Sequence, residues 1–516
     1  AVCESGDSPD ALALAPSVAH DLPELGVMLP YTPLQHLLLA AAASHGMHAL
    51  VMTSGNLSEE PIETDDDLAW EHLVAAGIAD ALLGNDRAIL SRYDDSVVRV
   101  VDGVVMPVRR ARGYAPQPLP LPALDGAPSC VLACGPQQKA TIALTREGTN
   151  GEATCFVSQH IGDVENGGTF DAWNAARTRL EDLFDLAPAA LACDLHPSYL
   201  SSQWAREQAR KCNLPLVEVQ HHHAHIASVM AEAIAAGQLT TDARVLGIAF
   251  DGTGAGTDGT IWGGEFLVVS LGGFERAAHL RTWALPGGAA SVRDARRNAF
   301  ALLSELGLLE HPGAARLLDS LDEQTRSVTA TMIERGINSP RTSSMGRLFD
   351  AAAAILGICD KATYEGEPAI ELEAAAWRAL DNEIAHFPDD NAGYFASGPS
   401  WLDGPYVLDQ KALFEALLGG IEAGAPADRL ALDFHVAVAR SSARIASDIC
   451  VHEGIDTVAL SGGVFMNRLL LRLLTHELKD AGLAVLVPHA VPVNDGCIAY
   501  GQAAIARARL AQTASR

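Results

Sequence analysis

One pattern occurs twice in this chain and limits its possible folds more than any other: a strand, a tight turn and a second strand. It appears first in "CVLACGPQQKATIALT", followed by a third strand, "ATCFVSQHI", and a helix, "WNAARTRLEDLFDL". It returns in "RVLGIAFDGTGAGTDGTIWGGEFLVVSL", with a longer glycine-rich turn, and the strand "DTVALSGG" comes much later. Two such units, each opening a lobe, predict an internally duplicated α/β protein with a cleft between its lobes.

The clearest boundary is "GYAPQPLPLPALDGAPS", where five prolines and the glycines break helix and strand periodicity. We predict a linker at 116–128, a small α/β domain at 1–115 and a larger domain at 129–516, with lobes at about 129–240 and 241–516. In the small domain we expect a helix at "PLQHLLLAAAASHG", a strand at "HALVMTSGN", a helix at "DDLAWEHLVAAGIADALL" and a hairpin at "SVVRVVDGVVMPVRR". Because the pattern begins part-way through a domain and without Met, we expect an N-terminally truncated chain.

Composition excludes several classes of partner. The 36 basic residues against 64 acidic ones give a net charge of −28, which would repel a phosphate backbone or an anionic membrane. The nine cysteines include no C-x-x-C pair, which argues against a disulfide framework or a thiolate zinc site. We expect neither a signal sequence nor a membrane span, because no basic segment followed by an apolar one opens the given sequence and its apolar runs are interrupted. We therefore expect a cytoplasmic protein with neither a nucleic-acid nor a membrane partner.

The stretch "LVEVQHHHAHIASVM" places four histidines at the start of a predicted helix. His221 and His225 are four residues apart, so both imidazoles would project from one helical face, as two ligands of one metal require. The alternative is that the histidines cap the helix and bind carboxylates. Asp251 and Asp495 are candidates for further ligands, in a site suited to iron, zinc or manganese acting on a carbonyl or phosphoryl oxygen. The metallopeptidase motif H-E-x-x-H is absent.

Two glycine-rich stretches indicate phosphate binding. Residues 251–264 carry six glycines, and "LSGGVFMN" precedes a helix whose N-terminus could bind an anion, with Asn467 nearby. Two such loops on opposite sides of a cleft predict a nucleotide between them, although the first could be only a flexible hairpin. Three further arginines, Arg109, Arg110 and Arg112, could bind an anion or form a salt-bridged surface. Cys497 is predicted to be a small buried hydrophobic residue.

A series of long stretches in fixed order resembles the HypF carbamoyltransferase family of nickel-iron hydrogenase maturation. They include "GVMLPYTPLQHLLL", "VMTSGN", "DDSVVR", "RRARGYAP", "SQHIGD", "CDLHPSY", "VQHHHAH", "FDGTGAGTDGTIWGGE", "SSMGRLFDA", "YEGEPAIELE" and "SGGVFMN". The resemblance spans nearly the whole chain. It implies an α/β protein in which a partial YrdC-like domain precedes a two-lobed TsaD-like domain of the actin and hexokinase (ASKHA) fold.

The same resemblance implies an ATP-dependent carbamoyltransferase. The YrdC-like part would form carbamoyl adenylate from ATP, with Mg²⁺, and carbamoyl phosphate. The TsaD-like part would transfer the carbamoyl group to the C-terminal cysteine of the partner HypE, for the cyanide ligands of the nickel-iron centre. By motif, His221, His225, Asp251 and Asp495 would be the catalytic residues and the ligands of a divalent iron or zinc. The nucleotide would be held by Gly254, Gly346, Asp350, Gly462, Gly463 and Asn467, and the YrdC-like site would include Thr53, Ser54, Asn56, Arg92 and Ser96.

Some features depart from the family, and some alternatives stay open. The resemblance implies that a complete family member also carries an acylphosphatase-like domain and a zinc-finger region, and we expect neither within the given sequence. Gln35, Asn85 and Ala255 stand where related sequences would have His, His and Tyr. An O-carbamoyltransferase acting on a small-molecule hydroxyl pairs the same two domains, but in the other order. A tRNA-modifying enzyme is disfavoured by the negative charge, and a non-catalytic ATP-dependent binding module would not need the His/Asp set.

Overall fold

The N-terminal region is organised around one β-hairpin. The computed structural model describes residues 15–19, 22–57, 60–148, 153–382, 395–397 and 404–514, so the first 14 residues of the predicted small domain lie outside the described residues. The elements of this region are α1 Pro33–Ser44, α2 Asp66–Ala69 continued by a π-helical turn Trp70–Ala75, β1 Val97–Val101 and β2 Val104–Arg109. The predicted hairpin is confirmed, and its turn residues Asp102 and Gly103 have φ of +48° and +81°.

The strand expected at "HALVMTSGN" is wrong. The structure gives these residues, 48–56, no regular strand, although the segment is apolar. A strand depends on hydrogen bonds to a neighbour, and among the described residues of this region only β1 and β2 pair with each other. Apolar patterning alone therefore did not decide the local structure here.

The first lobe contains a six-stranded sheet in the order β3-β6-β5-β4-β7-β8. Its strands are β3 Pro118–Leu121, β4 Val131–Ala133, β5 Ala143–Glu147, β6 Ala153–Val157, β7 Ala190–Asp194 and β8 Leu216–Val219. Strands β4, β7 and β8 run parallel, whereas β3, β6, β5 and β4 are successively antiparallel. Helices α3 Gly167–Phe184 and α4 Leu200–Cys212 contribute Trp173, Leu180, Ala205 and Ala209 to the core on one side of this sheet.

The second lobe repeats this topology. Its sheet has the order β14-β15-β11-β10-β9-β16-β17, with two short strands beside it. The strands are β9 Val245–Ala255, β10 Ile261–Val269, β11 Phe274–Leu280, β12 Trp283–Ala284, β13 Arg341–Thr342, β14 Ala396–Ser397, β15 Tyr406–Asp409, β16 Thr457–Ser461 and β17 Ala484–Leu486. The strand order β11-β10-β9-β16-β17 of the second sheet matches the order β6-β5-β4-β7-β8 of the first. In the first sheet β7 runs parallel to β4, and in the second β16 runs parallel to β9. The predicted internal duplication and two-lobed α/β fold are confirmed.

Helices surround and separate the two sheets. They are α5 His221–Ala235, α6 Ala289–Arg293, α7 Ala295–Leu306, α8 Ala315–Ser320, α9 Glu323–Arg335, α10 Met345–Leu356, α11 Glu367–Asn382, α12 Lys411–Glu422, α13 Ala427–Glu453, α14 Arg468–Asp480 and α15 Ile498–Ala514. A large apolar core joins one face of the second sheet to α7, α10, α13 and α14. Within the described ranges, no helix combines the length and apolar character that a membrane span requires.

Helices α5 and α15 pack against each other between the two sheets. The core around them combines Val131 and Ala192 of the first sheet with Ala249 of the second, and it includes Ile226 and Ile505 from the two helices. Because α15 contacts β4, β7 and β8, the C-terminal helix does not belong to the second lobe alone. The lobe boundary near residue 240 stays a prediction. The residues on its two sides share one apolar core, because α15 packs against strands of the first sheet.

The composition of the proline-rich stretch at 116–128 suggested a linker without strands, but the structure has a strand there. Residues Pro118–Leu121 form β3 and pair antiparallel with β6. Leu119 and Leu121 are buried, whereas the two prolines of the strand face outward. Proline has no N–H to donate, but β3 is at the edge of the sheet, where proline is tolerated. The sequence expectation is wrong here because it treated every proline as a strand breaker.

Candidate active site

Four buried histidines begin helix α5, directly after β8. Gln220 caps this helix, because its side-chain oxygen accepts a hydrogen bond from the backbone N–H of His223 at 2.8 Å. His221 and His225 are 1% and 0% exposed, and their ring centroids lie 5.0 Å apart. The helix therefore does not need these histidines as caps, and the two side chains share one face as their spacing predicts.

Two carboxylates approach this histidine pair from other parts of the fold. Asp251 lies within β9, and Asp495 begins the turn that precedes α15. Nε2 of His221 is 3.4 Å from Oδ2 of Asp251 and 3.6 Å from Oδ1 of Asp495. Nε2 of His225 is 3.8 Å and 3.6 Å from the same atoms. One ligand atom of each residue lies within 4.8 Å of the other three, so the four predicted ligands converge.

The first histidine is oriented by a buried carboxylate that the sequence reasoning missed. Nδ1 of His221 lies 2.9 Å from Oδ2 of Asp194, which ends β7. The other oxygen of Asp194 accepts a hydrogen bond from the backbone N–H of His196 at 2.8 Å. With Nδ1 facing Asp194, Nε2 is the ring nitrogen that faces Asp251 and Asp495.

The second histidine is oriented by a hydroxyl and a thiol. Nδ1 of His225 lies 3.1 Å from Oγ of Ser461 and 3.3 Å from Sγ of Cys497. Ser461 donates its own hydrogen to the carbonyl oxygen of Val493, so its oxygen is left to accept from Nδ1. Cys497 is 0% exposed, which confirms the prediction of a small buried residue, but its thiol also makes this polar contact with His225.

Electrostatics within the cluster favour separated charges. Burial would raise the pKa of Asp495, but the charge of His221 outweighs burial and brings that pKa down to about 2. Burial would likewise lower the pKa of His221, yet the nearby carboxylates, Asp495 first, hold it well above the ordinary value. Among the residues that the structure describes, the Nε2 atoms of both histidines and Oδ2 of Asp251 have no hydrogen-bond partner. Two nitrogen and two carboxylate donors, all buried, fit a divalent cation of the iron or zinc type.

A cavity of about 680 Å³ adjoins this cluster. It is bounded by both lobes and by the β1–β2 hairpin, for example at Val97, Lys139 and Gly366. The sequence-predicted site residues that line it are Asn56, Asp251, Gly346, Asp350, Gly463, Asn467 and Asp495. Residues from the predicted YrdC-like part and from both lobes therefore meet at one space, large enough for a small-molecule ligand.

The turn after β16 approaches Asp251 closely. Gly462 has φ of +113°, and a Cβ there would collide with the carbonyl oxygen of Phe250, so only glycine fits. The next N–H, that of Gly463, donates to Oδ1 of Asp251 at 3.0 Å. Asn467 caps α14 by accepting from the N–H of Leu470 at 2.9 Å. This loop thus fixes one carboxylate of the cluster and presents a helix N-terminus near the cavity.

The motif "GRLFD" forms the opposite wall, at the start of α10. Gly346 packs within van der Waals contact of Gly252, where a Cβ would lie 3.0 Å from the Gly252 Cα. Asp350 is 1% exposed and pairs with Arg347 at 3.1 Å, and burial raises its pKa. Gly254, by contrast, does not line the cavity, because it packs against the imidazole of His222. The nucleotide role of each of these residues stays a prediction.

The role of the predicted YrdC-site residues stays a prediction, and the structure gives their individual surroundings. Thr53 and Ser54 are exposed, and the side chain of Arg92 donates to the carbonyl oxygen of Ile62 at 2.9 Å. The hydroxyl of Ser96 donates to the carbonyl oxygen of Arg112 at 2.8 Å. Asn56 alone among the five predicted residues lines the cavity.

The arginine group considered as an anion site is mainly structural. Arg110 is buried and donates to the carbonyl oxygens of Val157 and Gln117 at 3.3 Å and 2.8 Å. Arg112 pairs with Asp95 at 3.2 Å. The contacts of Arg110 connect the hairpin region to the first lobe, whereas Arg112 pairs with a carboxylate of its own region and its side chain is 50% exposed.

Comparison with known proteins identifies the family. Three family models match: "Telomere recombination", of the Sua5/YciO/YrdC type, at residues 7–111; "HypF Kae1-like domain" at 126–232; and "Carbamoyltransferase, Kae1-like Domain, second subdomain" at 247–502. A carbamoyltransferase HypF homolog of Cupriavidus necator is 39% identical over 386 residues, covering 74% of this chain and 92% of the relative. The chain belongs to the HypF family.

Longer HypF relatives and a solved HypF structure agree with this assignment. Carbamoyltransferase HypF2 of Cupriavidus necator is 40% identical over 530 residues, which cover 95% of this chain and 62% of that protein. The crystal structure of full-length HypF in the phosphate- and nucleotide-bound form superposes with a TM-score of 0.84 at 38% identity, covering 97% of this chain and 73% of the other. The chain thus spans about three-fifths of the length of the first of these relatives.

Membership of the HypF family confirms the expected fold class, a YrdC-like region followed by a Kae1-like domain, the domain type also found in TsaD. Residue reasoning did not find Asp194, Ser461 or Lys139 as neighbours of the site. Asp194 carried a usable signal, because it ends the apolar strand β7. Ser461 and Lys139 carried none, since their contacts join segments far apart in the sequence.

Proposed function

We propose that this chain transfers a carbamoyl group from carbamoyl adenylate to a thiol. The observation that carries the proposal is the buried His221, His225, Asp251 and Asp495 cluster beside a cavity lined by both lobes and the YrdC-like hairpin. The HypF relatives are named carbamoyltransferases, and the related crystal structure was solved with nucleotide and phosphate. A buried polar cluster next to a ligand-sized cavity is the arrangement expected of an active site.

The four clustered residues would hold a divalent iron or zinc. His221 and His225 supply neutral nitrogen donors, and the carboxylates of Asp251 and Asp495 balance the two positive charges of such a cation. Bound there, the cation would act as a Lewis acid on an oxygen of the activated carbamoyl group. Asp194 and Ser461 keep the two imidazoles in the orientation and tautomer that this role requires.

In the transfer step, the thiolate sulfur attacks the carbamoyl carbon. The new C–S bond forms while the C–O bond to the phosphate breaks, and AMP leaves with the electron pair. We place the phosphate beside Gly463 and Asn467, which line the cavity next to the cluster. Gly346 and Asp350 form the wall on which we place the nucleoside.

We further propose that the acceptor is the C-terminal cysteine of HypE, and that the product leads to the cyanide ligands of nickel-iron hydrogenase. Carbamoyl adenylate would come from ATP, with Mg²⁺, and carbamoyl phosphate in the YrdC-like part, with Thr53, Ser54, Asn56, Arg92 and Ser96 at that site. Asn56 supports a connection between the two sites, because it lines the same cavity as Asp495.

The test supplies preformed carbamoyl adenylate, labelled in the carbamoyl group, to the metal-loaded chain together with a peptide that ends in cysteine. We expect label on the thiol with the parent chain and with His476→Ala, whose histidine is 72% exposed on α14. His225→Ala, which removes a clustered imidazole, is expected to lose transfer. A matching peptide that ends in serine measures transfer to a hydroxyl.

The outcomes separate the possible functions. Label on the cysteine peptide alone supports thiol transfer, whereas label mainly on the serine peptide would identify an O-carbamoyltransferase. Transfer that persists in His225→Ala would refute the role of the cluster. If the folded, metal-loaded parent chain binds nucleotide but transfers nothing, the catalytic proposal is wrong and a binding module is the better description.

A further inference from the structure

An ion pair joins the two lobes inside the cavity. Lys139 follows the turn sequence "GPQQ" between β4 and β5 of the first lobe, and Glu365 lies between α10 and α11 of the second. Nζ of Lys139 is 2.6 Å from Oε2 of Glu365, and the two side chains are 33% and 52% exposed. Both residues line the cavity, so a ligand in that space can reach them.

Lys139 has an unusual backbone conformation. Its φ is +46°, in the left-handed region that lysine rarely occupies, and its N–H donates to Oδ1 of Asp163 at 2.7 Å. This conformation disfavours a residue with a Cβ, and such residues concentrate at ligand sites. The turn thus holds the lysine at a fixed place on the cavity wall.

The four arginines that line the cavity each have a partner among the described residues. Arg99 donates to the Met466 carbonyl and pairs with Glu24, Arg109 lies 3.8 Å from Asp94, Arg110 donates to two carbonyl oxygens, and Arg347 pairs with Asp350 on the same helix. The partner of Lys139 comes from the opposite lobe and is more than half exposed. Such an exposed pair contributes little stability and is easily exchanged for a better anion.

We propose that Lys139 binds a phosphate group in the cavity and that Glu365 competes with that phosphate for the ammonium group. Ligand binding would replace the inter-lobe ion pair with a lysine–phosphate contact and would release Glu365. The phosphate of an adenylate is the ligand expected if the proposed function holds, and only this choice of ligand rests on it. The anion chemistry itself is independent of carbamoyl transfer.

The test is a set of calorimetric titrations of the full chain with AMP, and with adenosine as the ligand without phosphate. Lys139→Met is expected to weaken AMP binding about tenfold, as loss of a charge-assisted hydrogen bond does, and to change adenosine binding less than twofold. Glu365→Gln should tighten AMP binding about threefold. In the double variant, Glu365→Gln should add nothing, because its effect passes through Lys139.

Glu165→Gln is the matched control, since it removes the same charge from the lining of the same cavity. If it tightens AMP binding as much as Glu365→Gln does, or if Glu365→Gln tightens binding equally without Lys139, the carboxylate acts only by general repulsion and the proposal is overturned. Unchanged AMP binding in Lys139→Met, with an unchanged unfolding temperature, overturns it as well.

Inorganic phosphate as a second probe identifies the source of the anion. The same dependence on Lys139 with phosphate alone supports a site that accepts the free ion, and dependence with AMP alone supports a nucleotide site. A chain that shows the expected AMP cycle but transfers no carbamoyl group would contradict the proposed function while supporting this proposal.

Discussion

Replacing Asp194 with asparagine tests whether this buried carboxylate prepares the histidine cluster for a metal. Both of its oxygens accept hydrogen bonds, one from Nδ1 of His221 at 2.9 Å and one from the N–H of His196 at 2.8 Å. Asparagine has one acceptor oxygen and one NH₂ group, so one of these two N–H groups must face another donor. A buried donor without a partner costs about 1–3 kcal/mol.

The consequence for metal binding depends on which contact is lost. If the amide NH₂ faces His221, Nδ1 must become the acceptor and the proton moves to Nε2, where it blocks a metal. If the oxygen faces His221, the tautomer is kept but the negative charge behind the imidazole is lost. Either way we expect Zn²⁺ affinity to fall about 10–100-fold, the range found for partners of metal-binding histidines.

The assay is competition for Zn²⁺ against a chelator of known affinity, repeated with Co²⁺, whose visible spectrum reports the ligand geometry. Asp319→Asn, at an exposed carboxylate on α8, is the matched control and should bind as the parent does. Unfolding temperatures of the metal-free proteins show whether the fold is intact. An Asp194→Asn protein that is folded and binds Zn²⁺ with parental affinity and spectrum would refute the assigned role of Asp194.

Three further perturbations test the fold and the cluster. Gly462→Ala, at φ +113° beside a backbone carbonyl, should lower the free energy of unfolding by about 2–4 kcal/mol. Gly482→Ala, at φ +81° in open space, is the control and should lower it by about 1 kcal/mol. Urea titration measures both changes. Arg276→Met leaves Glu265, 0% exposed, without its 2.6 Å partner, so a loss of about 3–5 kcal/mol is expected from the same titration, and a loss below 1 kcal/mol would contradict it. Metal loading should raise the unfolding temperature of the parent chain, chelation should reverse this, and a variant lacking either clustered histidine should show no difference in calorimetry.

The two-lobed fold could be predicted because its signal is local. Each lobe begins with apolar strands joined by a turn, and the histidine spacing on α5 depends only on helix geometry. Asp194 was within reach of the same reasoning. It ends β7, and β7 lies beside β8, so its carboxylate is next to the residues that follow β8. Recognising this required the order of the strands, which the patterns alone did not provide.

Other features depend on contacts that no local pattern contains. Ser461 and Cys497 lie 236 and 272 residues from His225 in sequence, yet both contact its Nδ1. The strand β3 was not predicted because a strand tolerates proline only where it lies at the edge of a sheet, and the sequence does not show which strands lie at an edge. The strand expected at 48–56 failed for the opposite reason, since its apolar pattern has no pairing partner among the described residues.

The position of α15 has a consequence for synthesis of the protein on the ribosome. This helix fills the space between the two sheets, and Asp495 stands just before it. Both the shared core and the fourth group of the cluster are therefore completed only after translation has passed residue 495 and continued through the helix. A nascent chain stopped earlier would lack the apolar side chains that α15 adds to both sheets, and exposed apolar surface of this kind favours aggregation.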